Sequence, residues 1–217
     1  MIGIYCIATG NYNVFIDGFL DSLRTLRPTE KKLVILFTDS DNNYERDFIE
    51  VKKHRISDAP WPIVTLLKMW YINQHPIECD EVFYFDIDTL CVRDLPSNNK
   101  KLMLTRHTCS NGGMDGHRFM SLNDDKPESL SYIGRLSYEY VQGGFFYGDS
   151  KTVYSMCKDV ADWIEDDLKR GVIPRWHDES YLNKWQVLHQ TKCQIGRHMG
   201  DNCCVQFAYN ETFERKH

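Results

Sequence analysis

Two short segments of this chain carry residues that could do chemistry. In Phe83-Tyr84-Phe85-Asp86-Ile87-Asp88-Thr89 an apolar run delivers two carboxylates, spaced i, i+2, into the turn that follows it. Two hard oxygen donors at a strand end suit Mg²⁺ or Mn²⁺, and a cation held there can bridge to a diphosphate. The plain alternative is a pair of aspartates that merely ends a strand. In Trp176-His177-Asp178-Glu179-Ser180-Tyr181-Leu182-Asn183-Lys184, Asp178 suits a helix N-cap, and Leu182, Trp185 and Leu188 give an apolar face. A capped helix would explain that much. Yet Trp176, His177, Asp178 and Glu179 place an aromatic platform, hydrogen-bonding groups and two carboxylates at one helix mouth, which suits a sugar ring.

The first segment admits a rival chemistry. An apolar run followed by D-x-D-x-T is also how phosphatases of the haloacid dehalogenase type present a nucleophilic aspartate and its acid/base partner. In that class the nucleophile ends the first strand, whereas two strand-and-helix units precede Asp86. Its second acidic pair should end another strand, but Asp124-Asp125 falls in a loop and Asp166-Asp167 in a helical pattern.

The elements that must position these residues follow from hydrophobic period. Ile2 to Ile7 and Leu33 to Phe37 read as buried strands, and Phe15, Phe19, Leu23 and Leu26 recur between them at helical spacing. A second helical stretch with Ile63, Leu66, Leu67 and Trp70 begins after Pro60 and Pro62 and ends before Pro76; the strand Val82 to Phe85 follows. This alternation predicts an α/β wound sheet. Ligands of such sheets sit beyond the C-terminal ends of the strands, where Thr9, Asp39 and Asp86 would lie. After Asp94 the rhythm loosens, and Ser110 to Ser131 reads as a long loop or lid. Gly143-Gly144-Phe145-Phe146 then reads as a short strand with glycines where something comes close. Val153, Cys157, Val160, Ile164 and Leu168 make a helical stripe ended by Gly171 and Pro174. Without a linker or a repeat, residues 1–217 read as one catalytic domain, with 1–95 as one half and 96–217 as the other.

Composition bounds the partners. The 217 residues hold Lys+Arg 26 against Asp+Glu 31, a net charge of -5, which lacks the basic excess of a nucleic-acid binder. No run of about eighteen apolar residues and no signal pattern occurs, so neither a membrane span nor secretion is expected. The eight cysteines, at 6, 79, 91, 109, 157, 193, 203 and 204, form no C-x-x-C pair and no metal-ligand spacing, so reduced thiols in a cytoplasm are expected. The sequon Asn210-Glu211-Thr212 would matter only in a secreted chain.

WHDESYLNK, YVQGGFFYG and FYFDIDTLCVRD, with their order and separations, resemble glycosyltransferase family 6, which holds the blood-group A and B transferases and the α1,3-galactosyltransferases. The resemblance runs from Ile7 to about Asp201, weakly between Cys109 and Glu139. It implies a GT-A fold, a Rossmann-like mostly parallel sheet with flanking helices. It also implies a retaining, metal-dependent transfer of galactose or N-acetylgalactosamine from a UDP-sugar donor to a glycan hydroxyl. The linkage would be α, read as α1,3, the cation Mn²⁺ with Mg²⁺ as the alternative, and the acceptor a glycan such as a β-galactoside.

Carried over by position, Ile7, Ala8, Thr9 and Tyr12 match the residues that hold uridine. Lys68 fills a donor-contacting basic position where arginine is usual, exchanging a bidentate fork for a point charge. Asp86 and Asp88 match the metal pair, and His107 the place of an acceptor-contacting histidine. Gln142, Gly143 and Gly144 fall on the triplet that helps select the donor sugar, where small residues leave volume for an acetamido group. Trp176 and His177 resemble acceptor contacts, Asp178 the donor-sugar contact, and Glu179 the catalytic carboxylate. Asp201 lies where a further acidic residue follows the Thr-Lys pair. The tail after Asp201 is short, with Arg215 and Lys216, and the membrane anchor and stem of animal members are missing. A soluble bacterial or phage-type relative is therefore expected. A non-catalytic nucleotide-sugar-binding protein is the remaining alternative.

Overall fold

Runs of apolar residues such as Ile2–Ala8 and Lys32–Thr38 are buried along nearly their whole length, which requires pairing on both edges and cover on both faces. The computed structural model describes residues 1–95, 101–107, 126–134, 138–196, 198–199 and 203–208. Its strands are β1 (Ile2–Ala8), β2 (Lys32–Thr38), β3 (Glu50–Arg55), β4 (Glu81–Asp86), β5 (Thr89–Cys91), β6 (Leu102–Arg106), β7 (Val141–Asp149), β8 (Cys193–Gly196) and β9 (Val205–Phe207). The helices are α1 (Ile16–Ser22), α2 (Ile63–Leu66), α3 (Lys68–Gln74), α4 (Ser150–Lys169) and α5 (His177–Leu188).

Seven strands form one sheet in the order β3-β2-β1-β4-β7-β6-β8, and β5 pairs with β9 in a small second sheet. From β3 to β4 all neighbours are parallel, β7 is antiparallel to both β4 and β6, and β8 returns parallel to β6. The mostly parallel α/β architecture expected from the sequence is therefore present. One face carries the core of Tyr5, Phe37, Met69, Tyr84, Val160 and Trp185 under α3, α4 and α5. The other carries Ile4, Phe19, Leu36, Phe83 and Phe85, and α1 touches β5 on that side.

Two local features position the site. Period-2 alternation in β4 sends Phe83 and Phe85 to the α1 face and Val82 and Tyr84 to the α3–α5 face. Asp86 therefore ends the strand on the face of Tyr84. In β7 the register against β6 slips, with Leu104 opposite Phe146 but Thr105 opposite Gln142. The bulge falls on Gly143-Gly144-Phe145 and re-aims the chain there.

Some expectations are corrected. The helical stripe from Phe15 to Leu26 is helical only in α1; a 3-10 turn over Gly10–Phe15 precedes it, and Leu23 and Leu26 are buried in turns after it. Asp178 is not the N-cap of α5: Trp176 holds that position, and Asp178 sits in the first turn, drawn to a lysine. Leu188 is 57% exposed rather than part of the apolar face, while Leu182 and Trp185 are fully buried. Helix α4 is capped by Asp149, whose side chain accepts from Thr152 N at 2.9 Å, and is followed by Gly171 at φ 70. Cys109, Asp124-Asp125, Asp201, the sequon, Arg215, Lys216 and most of the expected 110–131 loop lie outside the described residues. Among the described residues no helix is long and apolar enough to cross a membrane.

Candidate active site

A cavity of about 380 Å³ opens at the C-terminal ends of β1 and β4, where parallel sheets present ligands. Ile7, Thr9, Tyr12, Lys68, Asp86 and Asp88 line it, with Asp58, Trp61 and Tyr84. The turn carrying the two aspartates is closed by Thr89, whose hydroxyl donates to the Asp86 carbonyl at 2.7 Å. Ala208 N donates to the Asp88 carbonyl at 2.8 Å, so the chain after β9 is hitched to the same turn. Ala8 is buried on the opposite face of β1 from Ile7, packs in the α1-side core, and does not line the cavity.

Lys68 joins this cavity to the second chemical segment. Its ammonium, on a side chain 3% exposed, lies 2.8 Å from Asp178 Oδ2 and 3.7 Å from Asp86 Oδ1, and donates to the Gly143 carbonyl at 3.0 Å. Burial by itself would lower its pKa, but the charges of Asp178 and then Asp86 overcome this and raise it above the ordinary lysine value. With its side chain nearly buried, Asp178 is thus held in the interior as the close ion-pair partner of the ammonium. Beside it, Glu179 accepts from Gly143 N at 3.0 Å and from the Tyr140 hydroxyl at 2.9 Å. Burial and the neighbouring Asp178 charge push the Glu179 carboxyl up to about 7, against the lowering effect of those two hydrogen bonds and of Lys68.

Gly143 is the surface on which this cluster rests. A Cβ there would overlap Asp178 Oδ2 and come within 3.2 Å of Lys68 Nζ and 3.3 Å of Glu179 Cγ. The volume that glycine frees at 143 is thus taken by the protein's own side chains. At Gly144 a Cβ would stand 3.0 Å from Asp86 Oδ2. Gln142 is buried, and its Nε2, Thr105 Oγ1 across the strand pair and Trp176 Nε1 are buried without hydrogen-bond partners. A buried polar group left without a partner costs about 1–3 kcal/mol.

The expected acceptor-side residues lie around the same point. His177 adopts φ 49, an uncommon conformation for a non-glycine residue, and packs edge-on against Trp61 with ring centroids 4.3 Å apart. His107 donates its main-chain N–H to the Tyr140 carbonyl, and burial lowers its pKa. Tyr84, Tyr140 and Asp58 were missed by sequence reasoning. Tyr84 alone had a local signal, its i−2 position on the strand face of Asp86. The rival phosphatase reading finds no support at Asp166-Asp167. The pair lies inside α4, where Asp167 accepts from Ser129, Leu130 N and Tyr181 in the interior.

A mostly parallel sheet ending its fourth strand in two carboxylates beside a cavity, with a second acidic pair on a facing helix, is the arrangement of a GT-A-like glycosyltransferase. The family model for glycosyltransferase family 6 matches residues 1–196, and the chain belongs to that family. It is 25% identical over 188 residues to the O-antigen biosynthesis glycosyltransferase WbnI of Escherichia coli, covering 84% of this chain and 80% of that one. It is 24% identical over 202 residues to the histo-blood group ABO system transferase 1 of Rattus norvegicus, covering 87% and 57%. It is 23% identical over 205 residues to the globoside alpha-1,3-N-acetylgalactosaminyltransferase 1 of Gallus gallus, covering 87% and 58%. The chain thus spans less than two thirds of the rat and chicken proteins.

Proposed function

We propose that this family member is a metal-dependent retaining hexosyltransferase that moves galactose or N-acetylgalactosamine from a UDP-sugar to a glycan hydroxyl, forming an α1,3 linkage. The observation that carries the reading is the buried Lys68 bridge, which sets Glu179 and Asp178 of α5 against Asp86 of the cavity. We read residues 1–95 as the donor half and 96–217 as the acceptor half, a β-galactoside as the acceptor class, and the cytoplasm as the location. The preference for N-acetylgalactosamine leans on the activity named for the chicken relative.

The residues present fit a hard divalent cation. Asp86 and Asp88 line one cavity, and Lys68 approaches only one Asp86 oxygen. Among the described residues no group of three or more His, Cys, Asp or Glu is assembled for a metal. Two carboxylates completed by substrate phosphate oxygens and water is a common way to hold Mg²⁺ or Mn²⁺. When bound, the cation would supply Lewis-acid stabilisation of the charge that develops on the diphosphate.

The chain's own residues do the rest. The bond from the sugar C1 to the UDP oxygen breaks with its electron pair leaving on UDP, and Lys68 offers that side a fixed positive charge. Glu179, held by Gly143 N and Tyr140, faces the cationic carbon, either bonding to it in a two-step reaction or stabilising it as an anion. The acceptor oxygen then bonds to C1 on the face that UDP left, with the bond to Glu179 breaking back to the carboxylate if one had formed, and its proton passes to a phosphate oxygen of the departing UDP. Trp176, His177 and His107 would hold the acceptor, and Asp178 the donor sugar.

The test is UDP release from a panel of UDP-sugars, with Mn²⁺ and with EDTA, for the wild type and Asp88→Asn. Release from one UDP-hexose that requires metal and is lost in the variant is the expected result. No release from any donor, with or without β-galactoside acceptors, would overturn the proposal.

A further inference from the structure

We infer that Tyr84 is a positioning residue that makes Asp86 a one-oxygen ligand and thereby selects which divalent cation the strand end accepts. The inference rests on the reading of Asp86 and Asp88 as the cation site.

Tyr84 precedes Asp86 by two residues in β4, so the two side chains leave the strand on the same face. The Tyr84 hydroxyl donates to Asp86 Oδ1 at 2.7 Å. Lys68 Nζ approaches that same oxygen at 3.7 Å and also stands 4.8 Å from the centre of the Tyr84 ring. Both positively polarised groups therefore engage Oδ1, and among the described residues Oδ2 takes no hydrogen bond. The ring cannot turn away easily. It is 2% exposed and stacks on Phe146 at 5.1 Å with the planes 17° apart. Phenylalanine would fill the same volume, so the hydroxyl adds to the site rather than to packing.

A carboxylate with one oxygen engaged presents the other as a single ligand. That suits small octahedral ions such as Mn²⁺ and Mg²⁺, which bind one oxygen per carboxylate at short distance. It disfavours Ca²⁺, which gathers six to eight oxygens and often takes both from one carboxylate. Tyr84 thus works through Asp86.

The experiment is a titration of the whole chain with Mn²⁺, followed by electron paramagnetic resonance, alone and with UDP, with Ca²⁺ as competitor. The proteins are the wild type, Tyr84→Phe and Asp88→Asn. The wild type should bind Mn²⁺ and resist Ca²⁺, and Asp88→Asn should lose the site. Tyr84→Phe should weaken Mn²⁺ by about tenfold, the scale of an orienting partner, and let Ca²⁺ compete more effectively. A merely loosened fold would weaken both ions in proportion, so a constant Mn²⁺/Ca²⁺ ratio in Tyr84→Phe overturns the role of Tyr84 while leaving the cation site standing. If the wild type binds no Mn²⁺ with or without UDP, the cation site itself is overturned, and this inference with it.

Discussion

Lysine is among the residues least often buried, and Lys68 keeps its charge in the interior because two carboxylates from different elements face it. Glu179 shows the opposite balance, with burial and Asp178 outweighing its hydrogen bonds. The reaction needs the carboxylate, so kcat/KM, which reports the free enzyme, should rise with pH through about 7, and Glu179→Gln should abolish that limb. Turnover in Glu179→Gln should fall by about 10²–10³, whether the carboxylate bonds to the sugar or only stabilises its charge. Stability runs in the opposite direction. A carboxyl raised in the folded state favours folding fully below its ordinary value near 4.5, and that contribution is lost as pH rises through about 7. The melting temperature of Glu179→Gln relative to wild type should therefore improve from pH 5 to pH 8. At Gly143 the demand is steric. Gly143→Ala must displace Asp178 and Lys68, costing about 1–3 kcal/mol by overpacking, and UDP release should suffer more than in Gly144→Ala, where the half-exposed Asp86 can yield.

At the scale of elements, the site depends on how α5 lies against β7. Asn183, fully buried, accepts from Val141 N at 2.9 Å and donates to the Val141 carbonyl and the Glu179 carbonyl, each at 2.8 Å. Its amide imitates a neighbouring strand at the point where β7 enters the Gly143 bulge. Tyr181, two residues earlier, is tied to Asp167 of α4 at 2.7 Å. Asn183→Ala strips Val141 of both partners, and each unmet buried group costs about 1–3 kcal/mol. Urea unfolding should register that loss. Turnover should fall with it, because Gly143 N and Glu179 lose their common reference.

Across the whole molecule, stability and activity are supplied from opposite ends of the sheet. Arg27, held at φ 42, pairs with Glu81 at 3.2 Å with both side chains nearly buried. Glu81 begins β4 and Asp86 ends it, a separation of roughly 17 Å along the strand. Removing one partner of a buried pair typically costs about 3–5 kcal/mol. Arg27→Met should thus lower the melting temperature by several degrees while the UDP-release rate per folded molecule stays at the wild-type value.

The amino-acid sequence alone determined that β1, β2 and β4 are interior strands, that α4 and α5 are helices, and that carboxylates wait at Asp86, Asp88, Asp178 and Glu179. These follow from hydrophobic period and from residue types adjacent in the chain, which depend on nothing distant. Strands of three or four residues such as β5, β8 and β9 are too short to show a period, and each is defined by its pairing with a partner distant in sequence. The bulge that places Gly143 under Asp178, the removal of Asp178 from the helix cap to Lys68, and the grip of Tyr140 on Glu179 were decided by tertiary structure. Each is a pairing between elements far apart in sequence, and its strength comes from desolvation that exists only once the sheet and helices have closed around it.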